Sequence, residues 1–117
     1  MLLARDRHDR VLLECRPPTG VWGGLYSLPE FEDVDSLRVH AEQRLGLALR
    51  HLDKLERIQH TFTHFRLAIQ PVAARAEQAA SRIADNAGSR WVRNDELGTL
   101  GIPAPIRRLL LSHPEQR

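Results

Sequence analysis

The sequence predicts an α+β fold, a mixed or antiparallel sheet with helices packed against its faces, and three observations predict it. Short apolar runs bounded by turn residues mark strands at both ends of the chain. Leu37, Ala41 and Leu45 recur at i, i+4 and i+8, which lines one face of an amphipathic helix. Pro105 then stands where a proline opens a second helix, because the first helical turn needs no N–H from it. A length of 117 residues is that of one ordinary domain, and 42% hydrophobic residues supply its core. Residues 1–117 are therefore expected to form a single domain.

Each element follows in turn. Leu2-Leu3-Ala4 and Val11-Leu12-Leu13-Glu14-Cys15 read as two short strands joined by a charged hairpin over residues 5–10. A chain that opens inside a strand is expected to be a piece of a longer protein, since natural domains usually begin with a few loose residues. Arg16-Pro17-Pro18-Thr19-Gly20 breaks the ladder, because two prolines bring no N–H donors. Residues 21–31 read as an irregular strand ending near Pro29. Asp33, Asp35 and Ser36 offer N-caps for the helix, and Gly46 offers its stop.

Two extended runs, residues 55–59 and 65–73, flank His60-Thr61-Phe62-Thr63-His64 and are expected to pair as a hairpin around it. Residues 74–88, rich in Ala, Glu, Gln, Arg and Ser, read as either a solvated helical excursion or a variable loop. Strand character returns at residues 89–92, Asn94 to Leu97 begin a short helical turn, and the final helix runs through Leu111.

Composition narrows the function classes. Seventeen Lys and Arg face 15 Asp and Glu, and a net charge of +2 neither demands nor excludes nucleic acid. Cys15 is the single cysteine, so the chain holds no internal disulfide and no thiolate cluster for zinc or iron–sulfur. A reducing, cytoplasmic setting is expected. The longest apolar runs, such as Leu109-Leu110-Leu111, fall far short of the roughly 20 residues that cross a bilayer. Arg5 and Asp6 interrupt any signal-peptide core, and no membrane partner is expected.

The segment Gly20-Val21-Trp22-Gly23-Gly24-Leu25-Tyr26-Ser27-Leu28-Pro29-Glu30-Phe31 closely resembles the start of the C-terminal domain of MutY-type adenine DNA glycosylases. Three further blocks agree in order and spacing: Arg16-Pro17-Pro18 upstream, His60-Thr61-Phe62-Thr63-His64-Phe65, and Trp91-Val92 followed by residues 100–110. The resemblance implies a Nudix-like α/β/α sandwich, a mixed sheet flanked by helices, related to hydrolases of oxidised nucleoside triphosphates. It also implies a lesion-recognition domain of base excision repair, attached to a helical glycosylase domain that removes adenine mispaired with 8-oxoguanine. The catalytic carboxylates and the iron–sulfur cluster would lie in that absent domain. For this chain alone the expectation is no catalytic residue, no metal and no cofactor. The partners implied are duplex DNA carrying 8-oxoguanine opposite adenine, and the protein's own N-terminal glycosylase domain.

An active Nudix enzyme carries G-x5-E-x7-R-E-U-x-E-E-x-G-U, whose helical glutamates hold magnesium, a hard cation that needs oxygen ligands. Setting Gly46-Leu47 against the closing G-U places Val39 at the arginine, His40 at the first helical glutamate, and Gln43 and Arg44 at the paired glutamates. No carboxylate stands at any of the three. Glu42 is one residue off, about 100° around the helix.

The family's Phe-Ser-His loop, which approaches the base pair, corresponds to Phe62, Thr63 and His64. Thr63 departs from the serine yet keeps a hydroxyl that both donates and accepts. That hydroxyl suits the N7–H donor and O8 acceptor that distinguish 8-oxoguanine from guanine. Phe62 offers a ring for stacking or wedging at a base step, and His64 a donor to a phosphate or base edge. Arg16, Arg66 and Arg90 are candidate phosphate contacts, set against the commoner reading of a solvated surface arginine. His60 and Thr61 are expected to shape the loop, and Trp22 and Trp91 to be structural. Two alternatives stand beside this reading: a divergent Nudix pyrophosphatase with ligands outside the helix, and a protein-interaction module that docks through residues 74–88.

Overall fold

A computed structural model describes residues 1–78 and 89–112. Strands β1 (Leu2–Arg5) and β2 (Val11–Cys15) form the expected charged hairpin, pairing antiparallel at Arg5 and Val11. Its turn is held by Asp6, whose carboxylate accepts from the backbone N–H groups of His8 and Arg10 at 2.9 Å each and pairs with the Arg10 guanidinium. Asp and Asn side chains bond their own downstream backbone in this way, which is why they favour turns.

The extended stretch expected over residues 21–31 is mostly turn, and β3 covers Tyr26–Ser27 alone. Helix α1 (Leu37–His40) follows and widens into a π-helical turn, Ala41–Leu45. Leu37, Ala41 and Leu45 are all buried, as their spacing predicts. A wider turn carries more residues, so an i+4 series stays in line through it. Gly46 ends the helix at φ 67°, the left-handed conformation that glycine adopts without Cβ strain.

Two strands depart from the sequence reading. Strand β4 (Leu47–Lys54) was not anticipated, because its alternation is broken between Arg50 and Asp53 by a bulge with His51 at φ 58°. The extra residue throws later side chains onto the opposite face. The run expected over 65–73 is split at Gln70-Pro71, giving β6 (Arg66–Ile69) and β7 (Val72–Gln78). Residues 74–78 are thus strand rather than helix or loop. Ala73, Ala74 and Ala76 are buried there, and tertiary placement overrides the helical propensity of alanine. The remainder of the 74–88 tract, residues 79–88, lies outside the described residues.

The main sheet runs β3-β2-β1-β7-β4, with β8 (Ser89–Val92) on β2. Strands β1 and β7 are parallel and their other neighbours antiparallel, so the sheet is mixed. Alternation along β1 and β2 sends side chains to two cores. Leu2, Ala4 and Leu12 meet Leu37 of α1 and Ala41 and Leu45 of the π-helical turn on one face. Leu3, Val11 and Leu13 meet Ile106, Leu109 and Leu110 of α2 (Ala104–Ser112) on the other. Both faces are covered, which explains the unbroken apolar runs in these strands. A 3₁₀ turn at Asn94–Thr99 precedes α2, and the Arg107 guanidinium donates to the carbonyls of Leu97 and Leu100 at 3.0 Å each. No helix among the described residues is long and apolar enough to cross a membrane.

Candidate functional site

Strand β5 (Ile58–Thr61) and β6 form a separate two-stranded hairpin, with Ile58 opposite Ile69 and Thr61 opposite Arg66. Its inner face carries Ile58, His60, Leu67 and Ile69, three partly buried and Ile69 fully buried. Those apolar side chains pack on the α2 core, so the hairpin is anchored at its base while its tip projects. Gln70 fastens that base, donating from Nε2 to the Leu55 carbonyl at 2.8 Å.

The tip is Phe62-Thr63-His64-Phe65, closed by a 2.7 Å bond from the Phe62 N–H to the Phe65 carbonyl. Thr63 and His64 are exposed at its apex, and Arg66 is exposed where β6 begins. The three residues that the sequence assigns to the loop are thereby brought together by one turn. Rings stand behind them. Phe62 stacks on Phe65 with centroids 4.6 Å apart and planes 18° apart, and His60 meets Phe62 edge-on at 4.6 Å. Trp22 lies against both His60 and Phe62, at 5.9 and 5.8 Å. Such offset and edge-to-face pairs hold ring orientation as well as burying area.

Trp22 reaches this position through the loop between β2 and β3. Its backbone is at φ 56°, a left-handed conformation that costs a side-chain-bearing residue roughly 1–2 kcal/mol. Strain of this kind persists where the surroundings over-determine it. Arg16 supplies much of that determination. Its N–H donates to Leu25, its carbonyl accepts from Gly24, its Nε donates to Val21 at 2.9 Å, and its guanidinium pairs with Glu30. Arg16 is therefore built into the loop that carries Trp22. Arg90 sits on β8 with its guanidinium 5.9 Å from the Tyr26 ring centroid. Neither Arg16 nor Arg90 belongs to the hairpin tip, whereas Arg66 adjoins it.

The sequence alone marks Trp22 as structural and gives Phe65 no role of its own. The ring contacts join residues some forty positions apart, which no local pattern records. A sharper signal was available in the Phe62-x-x-Phe65 spacing, which a four-residue hairpin tip brings face to face.

A second cluster lies on the face of α1. Arg44, the position of a paired glutamate in the Nudix pattern, donates from one guanidinium nitrogen to both Glu14 carboxylate oxygens at 3.2 and 3.1 Å. The same guanidinium donates to the Glu30 carbonyl at 3.2 Å and lies 4.8 Å from the Phe31 ring centroid. Val39, at the arginine position, is 55% exposed. Where a magnesium site would need carboxylates the helix presents His40, Gln43 and Arg44, and the Arg44 guanidinium pairs with the Glu14 carboxylate. Among the described residues no three His, Cys, Asp or Glu side chains converge as a metal site would require.

Solved structures with this fold include the C-terminal domain of mouse MUTYH, crystallised in complex with human PCNA. That likeness has a TM-score of 0.75 at 19% identity, over 99% of this chain and 90% of that one. A MutT protein from Bacillus halodurans gives a TM-score of 0.61 at 16% identity, over 96% and 77% of the two chains. The Nudix hydrolase RenU from M. Smegmatis gives 0.56 at 18% identity, over 97% and 85%. At such identities the likeness is one of fold. The family model for the NUDIX domain matches residues 1–112, and the chain belongs to that family.

Proposed function

We propose that this chain is a lesion-recognition domain of a MutY-type adenine DNA glycosylase, reading 8-oxoguanine opposite adenine without hydrolase activity of its own. The observation that carries the reading is the hairpin tip: Thr63 and His64 exposed side by side on a turn held by Phe62, His60 and Trp22. A hydroxyl answers the N7–H and O8 pair of the oxidised purine, and an imidazole beside it donates to a base edge or phosphate. Arg66 is close enough along the strand to serve a phosphate, the part of DNA recognition that positions rather than specifies. Arg16 and Arg90 stand as more distant phosphate candidates. Adenine removal, the iron–sulfur cluster and most of the DNA affinity are assigned to a separate glycosylase domain, the proposed intramolecular partner, within a cytoplasmic repair enzyme.

The test is fluorescence anisotropy of this chain on duplexes with 8-oxoguanine or guanine opposite adenine, at low salt so that phosphate contacts are strong. Thr63→Ala should lower the preference for the oxidised base several-fold while leaving affinity for the plain duplex nearly unchanged. An unaltered preference after Thr63→Ala combined with His64→Ala would refute the assignment.

A second reading, docking of a protein partner, draws on the mouse domain having been crystallised with PCNA. Capture of PCNA by this chain, undiminished when Thr63 and His64 are replaced, would support it. The pyrophosphatase alternative is disfavoured by the Arg44–Glu14 pair.

A further inference from the structure

We infer that Phe65, rather than Phe62, is the ring that meets a base at the lesion step, an inference that rests on reading the hairpin tip as a DNA contact. The Phe62 ring is engaged on several sides: Phe65 stacks on it at 4.6 Å, His60 abuts it edge-on at 4.6 Å, and Trp22 lies at 5.8 Å. Phe62 is only partly exposed, so these neighbours leave less of its ring open to a base than Phe65 presents. Phe65 is 46% exposed, one of the few large apolar side chains among the described residues left facing water.

An exposed aromatic ring stacked on Phe62, which His60 and Trp22 brace in turn, is poor design for stability but good design for stacking. Every base has a π-face, and an orientation fixed in advance removes most of the ordering cost of using it. The neighbours match the rest of a nucleotide. Thr63 and His64 share the turn with Phe65 and supply hydrogen-bonding groups, and Arg66 follows with a cation for the backbone phosphate. Phe65 thus provides the sequence-tolerant stacking term, Thr63 and His64 the lesion-specific one. Phe62, His60 and Trp22 are positioning residues that hold Phe65.

The experiment titrates this chain and its Phe65→Ala, Phe65→Leu and Phe65→Trp variants against both duplexes at low salt, with thermal unfolding measured alongside. Removing a half-exposed ring that stacks on Phe62 should lower the unfolding temperature by only about 2–6 °C and leave the transition cooperative. Phe65→Ala should weaken binding to both duplexes by roughly 5- to 150-fold, the equivalent of about 1–3 kcal/mol for one stacked base. Phe65→Leu should weaken it similarly, since apolar bulk without a π-face cannot stack, and Phe65→Trp should hold it.

Wild-type affinity in Phe65→Ala or Phe65→Leu overturns the inference, even if Thr63→Ala still erodes lesion preference. The converse result, equal affinity of the wild type for the two duplexes with the Phe65 dependence intact, sinks the lesion reading and upholds the base contact. Absence of binding to either duplex overturns both.

Discussion

Gly23 is the position where a single methyl group tests how the hairpin tip is supported. A Cβ added there would lie 2.4 Å from the Pro18 carbonyl oxygen, 2.8 Å from its carbon and 3.0 Å from the Pro17 oxygen. All three are backbone atoms of a loop with two prolines, so no flexible side chain can swing aside. Forcing added atoms into such a site typically costs about 1–3 kcal/mol. At about 4 °C per kcal/mol for a domain of this size, Gly23→Ala should lower the unfolding temperature by roughly 4–12 °C. The control is Gly98→Ala, in the 3₁₀ turn, where an added Cβ meets nothing and no positive φ is required. That change should be neutral or stabilise by up to roughly 1 kcal/mol, through reduced freedom of the unfolded chain. The strain at Gly23 passes directly to Trp22, and Trp22 to His60 and Phe62. The Trp22 indole emission, followed in a Trp91→Phe background, should therefore shift in Gly23→Ala and not in Gly98→Ala. Differential scanning calorimetry with paired fluorescence spectra makes the comparison. If the two variants melted together and the indole spectrum were unmoved, the argument that the proline loop fixes the tip would be wrong.

Two further outcomes follow from described contacts. Millimolar magnesium should leave the unfolding temperature of the wild type unchanged, because a ligand stabilises only through preferential binding to the folded state; a rise that grows with magnesium concentration would expose a metal site the Arg44–Glu14 pair argues against. Asp33 is held below its ordinary carboxyl pKa of 3.8, first by the Ser36 N–H and then by the Ser36 hydroxyl. A carboxyl depressed in the folded state adds stability above its unfolded pKa and loses it as pH falls through the folded value. The gap between wild type and Asp33→Asn should hold from neutral pH down to about 3.8 and close below it. A gap independent of pH in urea titrations would remove the assigned role.

Much of this arrangement was legible in the residues. The charged hairpin, the Leu37-Ala41-Leu45 face, the Gly46 stop, the 3₁₀ turn and the closing helix all announce themselves through short-range patterns. Strand β4 did not, because the bulge at His51 breaks its alternation, nor did β7 beyond Ala73, where the buried residues, Ala74 and Ala76, carry no strand signature. Both failures concern strands whose identity depends on partners far along the chain. The site divides in the same way. Phe62, Thr63 and His64 are contiguous and a motif singles them out as candidates, whereas the ring contacts of Trp22 exist only once the β2–β3 loop is folded against the hairpin. Phe65 was visible in the motif, but whether a ring points inward or outward is decided by packing.

The placement of β1 carries a kinetic consequence. It lies inside the sheet between β2 and β7, and its parallel ladder begins with Leu2 opposite Val72. Local order can form early at the β1–β2 hairpin, but the other edge of β1 stays open until some seventy residues have been synthesised and the chain has looped back. Closing so long a loop before any reward from the ladder slows the search. During translation this domain should therefore expose an apolar strand edge for most of its synthesis, and consolidate late and as a unit.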